Sequence, residues 1–211
     1  KNILMGKNNF ASFDIESRGK LLGNISLSIP GKHNVYNAVA AIIVCLHLGV
    51  KFEEIKNSIL GFKGAHRRFE ILGNPEGILI VDDFAHHPTE IKSTLTVAKN
   101  MGFNRVWAIF QPHTYSRTFM FLYDFAKSLS IADKVILTEI LPVRETNIYG
   151  IHSEDLAKKI QGCICIDDFD EIAEFILSNA KKGDMVITMG GGNIYKCANM
   201  ILDKLTRAKQ L

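Results

Sequence analysis

The sequence predicts an α/β protein in which a parallel sheet covered by helices follows a smaller unit of different character. Two observations carry this prediction. Short apolar runs near residues 78–83, 105–111, 134–140, 163–167 and 185–189 are each followed by a helix-length amphipathic stretch, the alternation that a parallel sheet requires. Before Gly61-Phe62-Lys63-Gly64 the pattern is one strand-like region and then two helices, so residues 1–62 and 63–211 read as separate domains.

The elements follow in order. From Phe10 to Ile29 the chain is strand-like, most clearly in Asn24-Ile25-Ser26-Leu27-Ser28-Ile29, where apolar residues alternate until Pro30-Gly31 interrupts them. Asn34 to Leu48 carries Val35, Val39, Ile42, Ile43 and Leu46 at helical spacing and Gly49 as a stop, and Phe52 to Leu60 reads as a shorter helix. Ile78 to Val81 is a strand running into a helix with Ile91, Leu95 and Ala98 on one face, Pro88 in its first turn and Gly102 at its end. Val106 to Phe110 is the next strand. Cys163-Ile164-Cys165-Ile166 alternates like a buried strand, and the last strand passes through Gly190-Gly191-Gly192-Asn193 into a helix whose buried stripe is Ile194, Ala198, Ile201 and Leu205.

Composition narrows the class. At 47% hydrophobic and 22% charged, with 16 glycines and 5 prolines in 211 residues, the chain has globular proportions and is neither disordered, collagenous nor coiled coil. The longest apolar run, Ala38 to Leu46, is too short for a membrane-spanning helix. A net charge of +3 spread without basic blocks gives no reason to expect nucleic acid. Four cysteines without framework spacing read as reduced structural thiols of a cytoplasmic protein. The chain opens at Lys1 without an initiator Met, which suggests processing or an excised fragment.

In open parallel sheets ligands bind beyond the carboxyl ends of the strands, which directs attention to the strand-to-helix junctions. Asp82-Asp83-Phe84-Ala85-His86-His87-Pro88-Thr89-Glu90 places two carboxylates and two imidazoles beside a helix amino terminus. That setting suits an anion, a ribose hydroxyl or a metal, or equally a polar loop that caps the helix. No third and fourth ligand stand at zinc-site spacing, and no metal site is expected. In Gln111-Pro112-His113-Thr114-Tyr115-Ser116-Arg117-Thr118, His113 and Arg117 suit a carboxylate or phosphate, the alternative being a solvated turn. The cationic run His66-Arg67-Arg68 lies where a ligand between two domains would be met, although adjacent arginines are more often a solvated edge. Asn34 and Asn37, three apart, offer the donor and acceptor an adenine edge needs, and Asn34 can equally cap its helix. Gly190 to Asn193 is only part of a dinucleotide fingerprint, since Tyr195 takes the third glycine's place, and it reads as a turn that needs glycine for its backbone. A dinucleotide oxidoreductase is excluded by the lack of glycine in Asp82-Asp83-Phe84-Ala85, and no Gly-x-x-x-x-Gly-Lys-Ser/Thr phosphate loop occurs.

Taken in order, Gly31-Lys32-His33-Asn34-Val35-Tyr36-Asn37-Ala38, Arg67-Arg68-Phe69-Glu70, the Asp82–Glu90 segment, Phe110 to Thr118 and, more weakly, Val143-Arg144-Glu145 resemble the Mur ligases of bacterial cell-wall synthesis. Within that family they are most similar to the branch that joins L-alanine to UDP-N-acetylmuramate. The resemblance implies that residues 1–62 are the end of a central ATP-binding domain and 63–211 a Rossmann-like carboxy-terminal domain. It implies an activity that uses ATP and Mg²⁺, forms an acyl phosphate, and is absent from the 211-residue chain alone. It assigns His33, Asn34, Asn37, Arg68 and Asp83 to the nucleotide, His86 and His87 to the reaction centre, and His113 and Arg117 to the substrate carboxylate. Thr114 departs from the arginine that relatives usually carry there, leaving Arg117 to act alone, and Asn193 receives no role. The nearest rival is the ligase that attaches a preformed peptide to the same sugar, which shares Asp82 to Pro88 but differs in the second histidine segment. A second rival is a nucleotide-binding domain without catalysis.

Overall fold

The computed structural model describes residues 1–6 and 9–208. The chain divides into two compact units, Lys1–Ala65 and His66–Leu211, so the division falls three residues beyond the expected boundary.

In the first unit three antiparallel strands, β1 (Leu4–Met5), β2 (Phe10–Ser17) and β3 (Lys20–Pro30), precede α1 (His33–His47) and α2 (Phe52–Gly61). The stretch read as one strand-like region is a hairpin. Ser17 pairs with Lys20 across Arg18-Gly19, whose φ values of 49° and 77° suit a tight turn of left-handed residues. Period-two alternation buries Ala11, Phe13 and Ile15 of β2 and Ile25 and Leu27 of β3 against Val35, Ile42 and Ile55 of the helices. At roughly 1.5–3 kcal/mol for each large apolar side chain removed from water, this face holds the unit together. Ile43, expected on the buried stripe of α1, is 61% exposed, because only the face carrying Val35 and Ile42 meets the sheet.

The second unit is a six-stranded sheet in the order β4-β5-β9-β6-β7-β8, formed by β4 (Glu70–Gly73), β5 (Leu79–Asp83), β6 (Val106–Phe110), β7 (Lys134–Leu137), β8 (Ile164–Cys165) and β9 (Met185–Met189). Every pairing is parallel except that of β4, a strand not anticipated, which runs antiparallel to β5 at the edge. The three central strands are buried along their whole length, as continuous apolar runs such as Val106-Trp107-Ala108-Ile109-Phe110 require when both faces are covered. One face packs against α3 (Pro88–Asn100), α5 (Leu122–Leu129) and α6 (Ser153–Ala157) through Ile91, Leu95, Phe125, Leu129 and Leu156. The other packs against α7 (Phe169–Asn179) and α8 (Tyr195–Ala208) through Ile172, Ile176, Ala198, Ile201 and Leu205, with Ile194 just ahead of α8. A one-and-a-half-turn helix, α4 (Tyr115–Met120), follows β6. No helix among the described residues is long and apolar enough to cross a membrane.

Candidate functional site

The carboxyl ends of β5, β6 and β9 release three loops side by side. The β5 loop is built by its own polar residues. Asp83 is buried and accepts bonds from Ala85 N–H (2.8 Å), Phe69 N–H (2.9 Å) and Thr94 Oγ1 (3.2 Å). Burial raises its pKa, because a carboxylate loses hydration that these three donors and the charge of Arg68 only partly replace. Glu90 then closes the helix start, its Oε2 accepting from His86 N–H (3.0 Å) and His87 N–H (3.2 Å), while His87 Nδ1 accepts from Thr89 N–H (3.3 Å). This is a capping box with histidine in the place normally held by Ser or Thr, and Pro88 fits the first turn behind it. Burial works to raise the Glu90 carboxyl, but the two backbone N–H groups, the His86 ring and Arg68 hold it below its ordinary value.

The β6 loop turns through Thr114, which sits at φ 70° and caps α4. Glu145, from the loop after β7, fixes that helix start by accepting from Ser116 N–H (2.8 Å) and Ser116 Oγ (2.5 Å). The Ser116 hydroxyl and N–H lower the Glu145 pKa. Ordered in this way, α4 carries Arg117 back toward His113, with Nη1 3.4 Å from His113 Nδ1. A guanidinium can only donate, so Nδ1 accepts and the proton of a neutral His113 lies on Nε2. Burial, Arg117 and His86, in that order, push the His113 pKa down, against a smaller opposing pull from Glu145.

The β9 loop is the glycine turn. Gly190 has φ 150°, and a side chain there would meet the Gln111 carbonyl at 2.9 Å; a Cβ on Gly191 would lie 3.3 Å from the His113 ring and 3.4 Å from the His86 ring. The two rings stand 5.8 Å apart, centroid to centroid, over this bare backbone. His86 Nδ1 donates to the Phe84 carbonyl (2.9 Å), so that in the neutral ring Nε2 is the acceptor. Arg67 holds the turn from beneath: Nη2 donates to Gly190 O (2.8 Å), Nη1 to Gly192 O (2.9 Å) and Nε to Asp82 (2.7 Å), with the guanidinium 5.1 Å from the Phe84 ring and 5.0 Å from that of Tyr195.

The structure thus brings together His86, His113 and Arg117, a surface with one imidazole acceptor, one imidazole donor and one guanidinium. His87 is set apart as a helix cap whose ring packs edge-on against Phe121 at 5.0 Å. Of the paired arginines, only Arg68 is exposed, lying over Phe84 at 5.6 Å. Asp83, expected at a ribose, is turned into the fold with its oxygens engaged by the loop. In the first unit Asn34 donates to Pro30 O (2.8 Å) and accepts from Asn37 Nδ2 (3.0 Å), so the amides pair with each other; His33 begins α1, exposed, as does Asn37 further along. Arg67, Glu90 and Glu145 went unassigned in the sequence. Glu90 stands three residues after its cap, a spacing that signals a box only if histidine is admitted as a cap.

Residues 67–192 match the family described as Mur ligase, glutamate ligase domain. The chain belongs to the Mur ligase family. It is 48% identical over 208 residues to the UDP-N-acetylmuramate–L-alanine ligase of Caldanaerobacter subterraneus, matching 97% of this chain and 45% of that protein. It is also 48% identical over 202 residues to the ligase of the same name from Caldicellulosiruptor saccharolyticus, 93% of this chain and 44% of the relative. Among solved structures it is similar to the UDP-N-acetylmuramate–alanine ligase of Thermotoga maritima (TM-score 0.78, 26% identity, 95% of this chain and 44% of that one). A murein peptide ligase from Psychrobacter arcticus also matches (TM-score 0.63, 27% identity, 95% and 42%). The chain therefore spans about half the length of the relatives it matches.

Proposed function

We propose that this chain is the carboxy-terminal part of an ATP-dependent ligase that joins L-alanine to UDP-N-acetylmuramate, residues 1–65 ending its central ATP-binding domain and 66–211 forming its terminal domain. The observation that carries the reading is the convergence of His86, His113 and Arg117 over the glycine turn, in a chain 48% identical to ligases of that name.

A carboxylate at neutral pH resists attack by an amine until one of its oxygens becomes a phosphate leaving group. ATP supplies that phosphate, and the amine then displaces it, releasing ADP and phosphate and forming the amide. Arg117 and the Nε2–H of His113 offer a guanidinium and a neutral donor to the amino acid's carboxylate. In its neutral form His86 would take a proton from the amine through Nε2 as the new bond forms. Exposed Arg68 suits the nucleotide's anionic groups, and exposed Asn37 keeps an amide oxygen for a base edge. Asp83 does not fit a ribose contact in this conformation. Mg²⁺ would screen the phosphates when bound, yet imidazoles and a guanidinium are not its preferred oxygen ligands. The fit fails at this cluster, and the ion is expected with a phosphate-loop segment outside these residues. Four free cysteines accord with a reducing, cytoplasmic setting.

The test is phosphate release by the protein translated from the full reading frame that contains this chain, given ATP, Mg²⁺ and UDP-N-acetylmuramate, with the 211-residue chain as control. Release with L-alanine by the longer protein alone supports the reading. Preference for a tripeptide would replace it with the peptide-attaching reaction, a reading favoured less by the lower TM-score of that structural relative. Silence in both would refute it.

A further inference from the structure

The segment between β7 and α6 is tied to the β6 loop. At its root Leu141 O accepts from Thr114 N–H (3.0 Å) and Leu141 N–H donates to Pro112 O (2.9 Å), which carries the parallel pairing of β6 and β7 one step further. The chain then turns back on itself. Glu145 N–H donates to Pro142 O (3.0 Å) across Val143 and Arg144, with Val143 at φ 60°, a conformation that a β-branched residue adopts only under strain. Further on, Asn147 closes the segment, Nδ2 donating to Ile151 O (2.9 Å) and Oδ1 accepting from Ile151 N–H (3.1 Å). Two of its side chains reach α4: Glu145 accepts from both donors of Ser116, and Tyr149 stacks on Phe119 with ring centroids 5.0 Å apart and planes at 22°. With six residues, α4 is too short to persist on its own hydrogen bonds, because nucleating a helix is unfavourable. It depends on its tethers, which are the Thr114 cap, the buried Thr118 and these two contacts from outside.

We infer that Glu145 is a positioning residue for the pair His113 and Arg117, acting through Ser116 to hold α4 where Arg117 meets the imidazole and so setting the affinity for the incoming amino acid. That the pair takes the amino acid's carboxylate rests on the proposed ligase reading; the bracing of Arg117 does not. A carboxylate suits the task because its two oxygens accept from the N–H and the hydroxyl of one residue at once. Glutamine can copy both contacts, accepting from the N–H and donating to the hydroxyl oxygen, without the charge; alanine can copy neither. The charged groups facing His113 give the test its sign. Arg117 and His86 lower the His113 pKa and Glu145 raises it, Arg117 acting more strongly than Glu145.

The experiment titrates the His113 ring by nuclear magnetic resonance in the 211-residue chain, each variant being checked for an unchanged far-ultraviolet spectrum. Glu145→Gln removes the raising charge and keeps α4 in place, so the His113 pKa should fall. Glu145→Ala releases Arg117 from the ring, so the pKa should rise instead. Ser116→Ala, which gives up only the hydroxyl contact, should also shift it upward and serves where Glu145→Ala does not fold. In the longer protein, KM for L-alanine should increase more than about tenfold in Glu145→Ala, the scale of losing a hydrogen bond to a charged group, while KM for ATP stays constant and Glu145→Gln recovers most of the loss. A His113 pKa that falls in Glu145→Ala as it does in Glu145→Gln, or moves in neither, overturns the brace. A lowered kcat with an unchanged KM for L-alanine overturns its part in substrate affinity. If the unsubstituted longer protein releases no phosphate, the ligase reading fails and the titration still decides whether Glu145 holds Arg117.

Discussion

Replacing Arg67 with alanine should be among the most damaging changes in the second unit. The side chain of Arg67 is only 11% exposed and that of Asp82 only 2%, so their 2.7 Å contact joins two desolvated charges. Removing the guanidinium leaves the Asp82 carboxylate held by the Thr188 hydroxyl (2.6 Å) without its charged partner, and takes away the Arg67 donors to the carbonyls of Gly190 and Gly192. Breaking a buried pair from one side costs about 3–5 kcal/mol, because the surviving charge keeps its desolvation penalty. At roughly 2–4 °C per kcal/mol for a unit of this size, the melting temperature should fall by about 10 °C. Urea and thermal unfolding of Arg67→Ala, read by circular dichroism beside Arg68→Ala, measure this. The exposed Arg68, sequence neighbour and chemical twin, should cost no more than about 0.5 kcal/mol. Equal losses for the two, or a loss below about 1 kcal/mol for Arg67→Ala, would refute the claim that the glycine turn hangs on this side chain.

Other outcomes follow from the same geometry. Gly190→Ala adds a Cβ 2.9 Å from a backbone carbonyl at φ 150° and should destabilise by about 1–3 kcal/mol in urea titration. His113 has a folded-state pKa below its unfolded value of 6.5, so the unfolded chain binds the proton first as pH falls; stability should decline below about pH 6.5, and His113→Gln should flatten that decline. Glu145→Ala frees Ser116 N–H, whose hydrogen exchange should accelerate while the amides of the central strand Ile80–Asp83 do not. Burial pushes the Cys163 and Cys197 thiols up to about 12, leaving about one thiolate in ten thousand at pH 8, so both should react with iodoacetamide far more slowly in the folded chain than in urea.

Much of the larger unit was legible because its strands are continuous apolar runs between helices with clean stripes, and β5, β6, β7, β8 and β9 all stand where those runs lie. The hairpin in the first unit was hidden because Arg18-Gly19 lacks the Asn-Gly or Asp-Gly signature and the apolar alternation continues on both sides of it. β4 was hidden for another reason: four residues at a sheet edge carry too little periodicity to be read. At the site, residue type singled out His86, His113 and Arg117 as candidates, and the approach of the β5 and β6 loops brings His86 to the other two. Arg67's inward turn has no local signature, since it depends on Asp82, Gly190 and Gly192, and of Asp83's bonds only that from Ala85 N–H, two residues on, is local, those from Phe69 and Thr94 being set by the fold. His87 is the cap of α3, a place that its residue type does not signal.

The position of β9 bears on how the second unit is made. Although last in the chain, this strand lies third in the sheet, with β5 on one side and β6 on the other. A ribosome that has produced everything through α7 has therefore released two partial sheets with no common centre, each presenting unpaired backbone along the line where β9 belongs. Cooperative closure waits for Met185–Met189. Until then the nascent unit exposes apolar strand edges to chaperones and proteases, and a stop codon just before Met185 would yield an aggregation-prone product rather than a smaller domain.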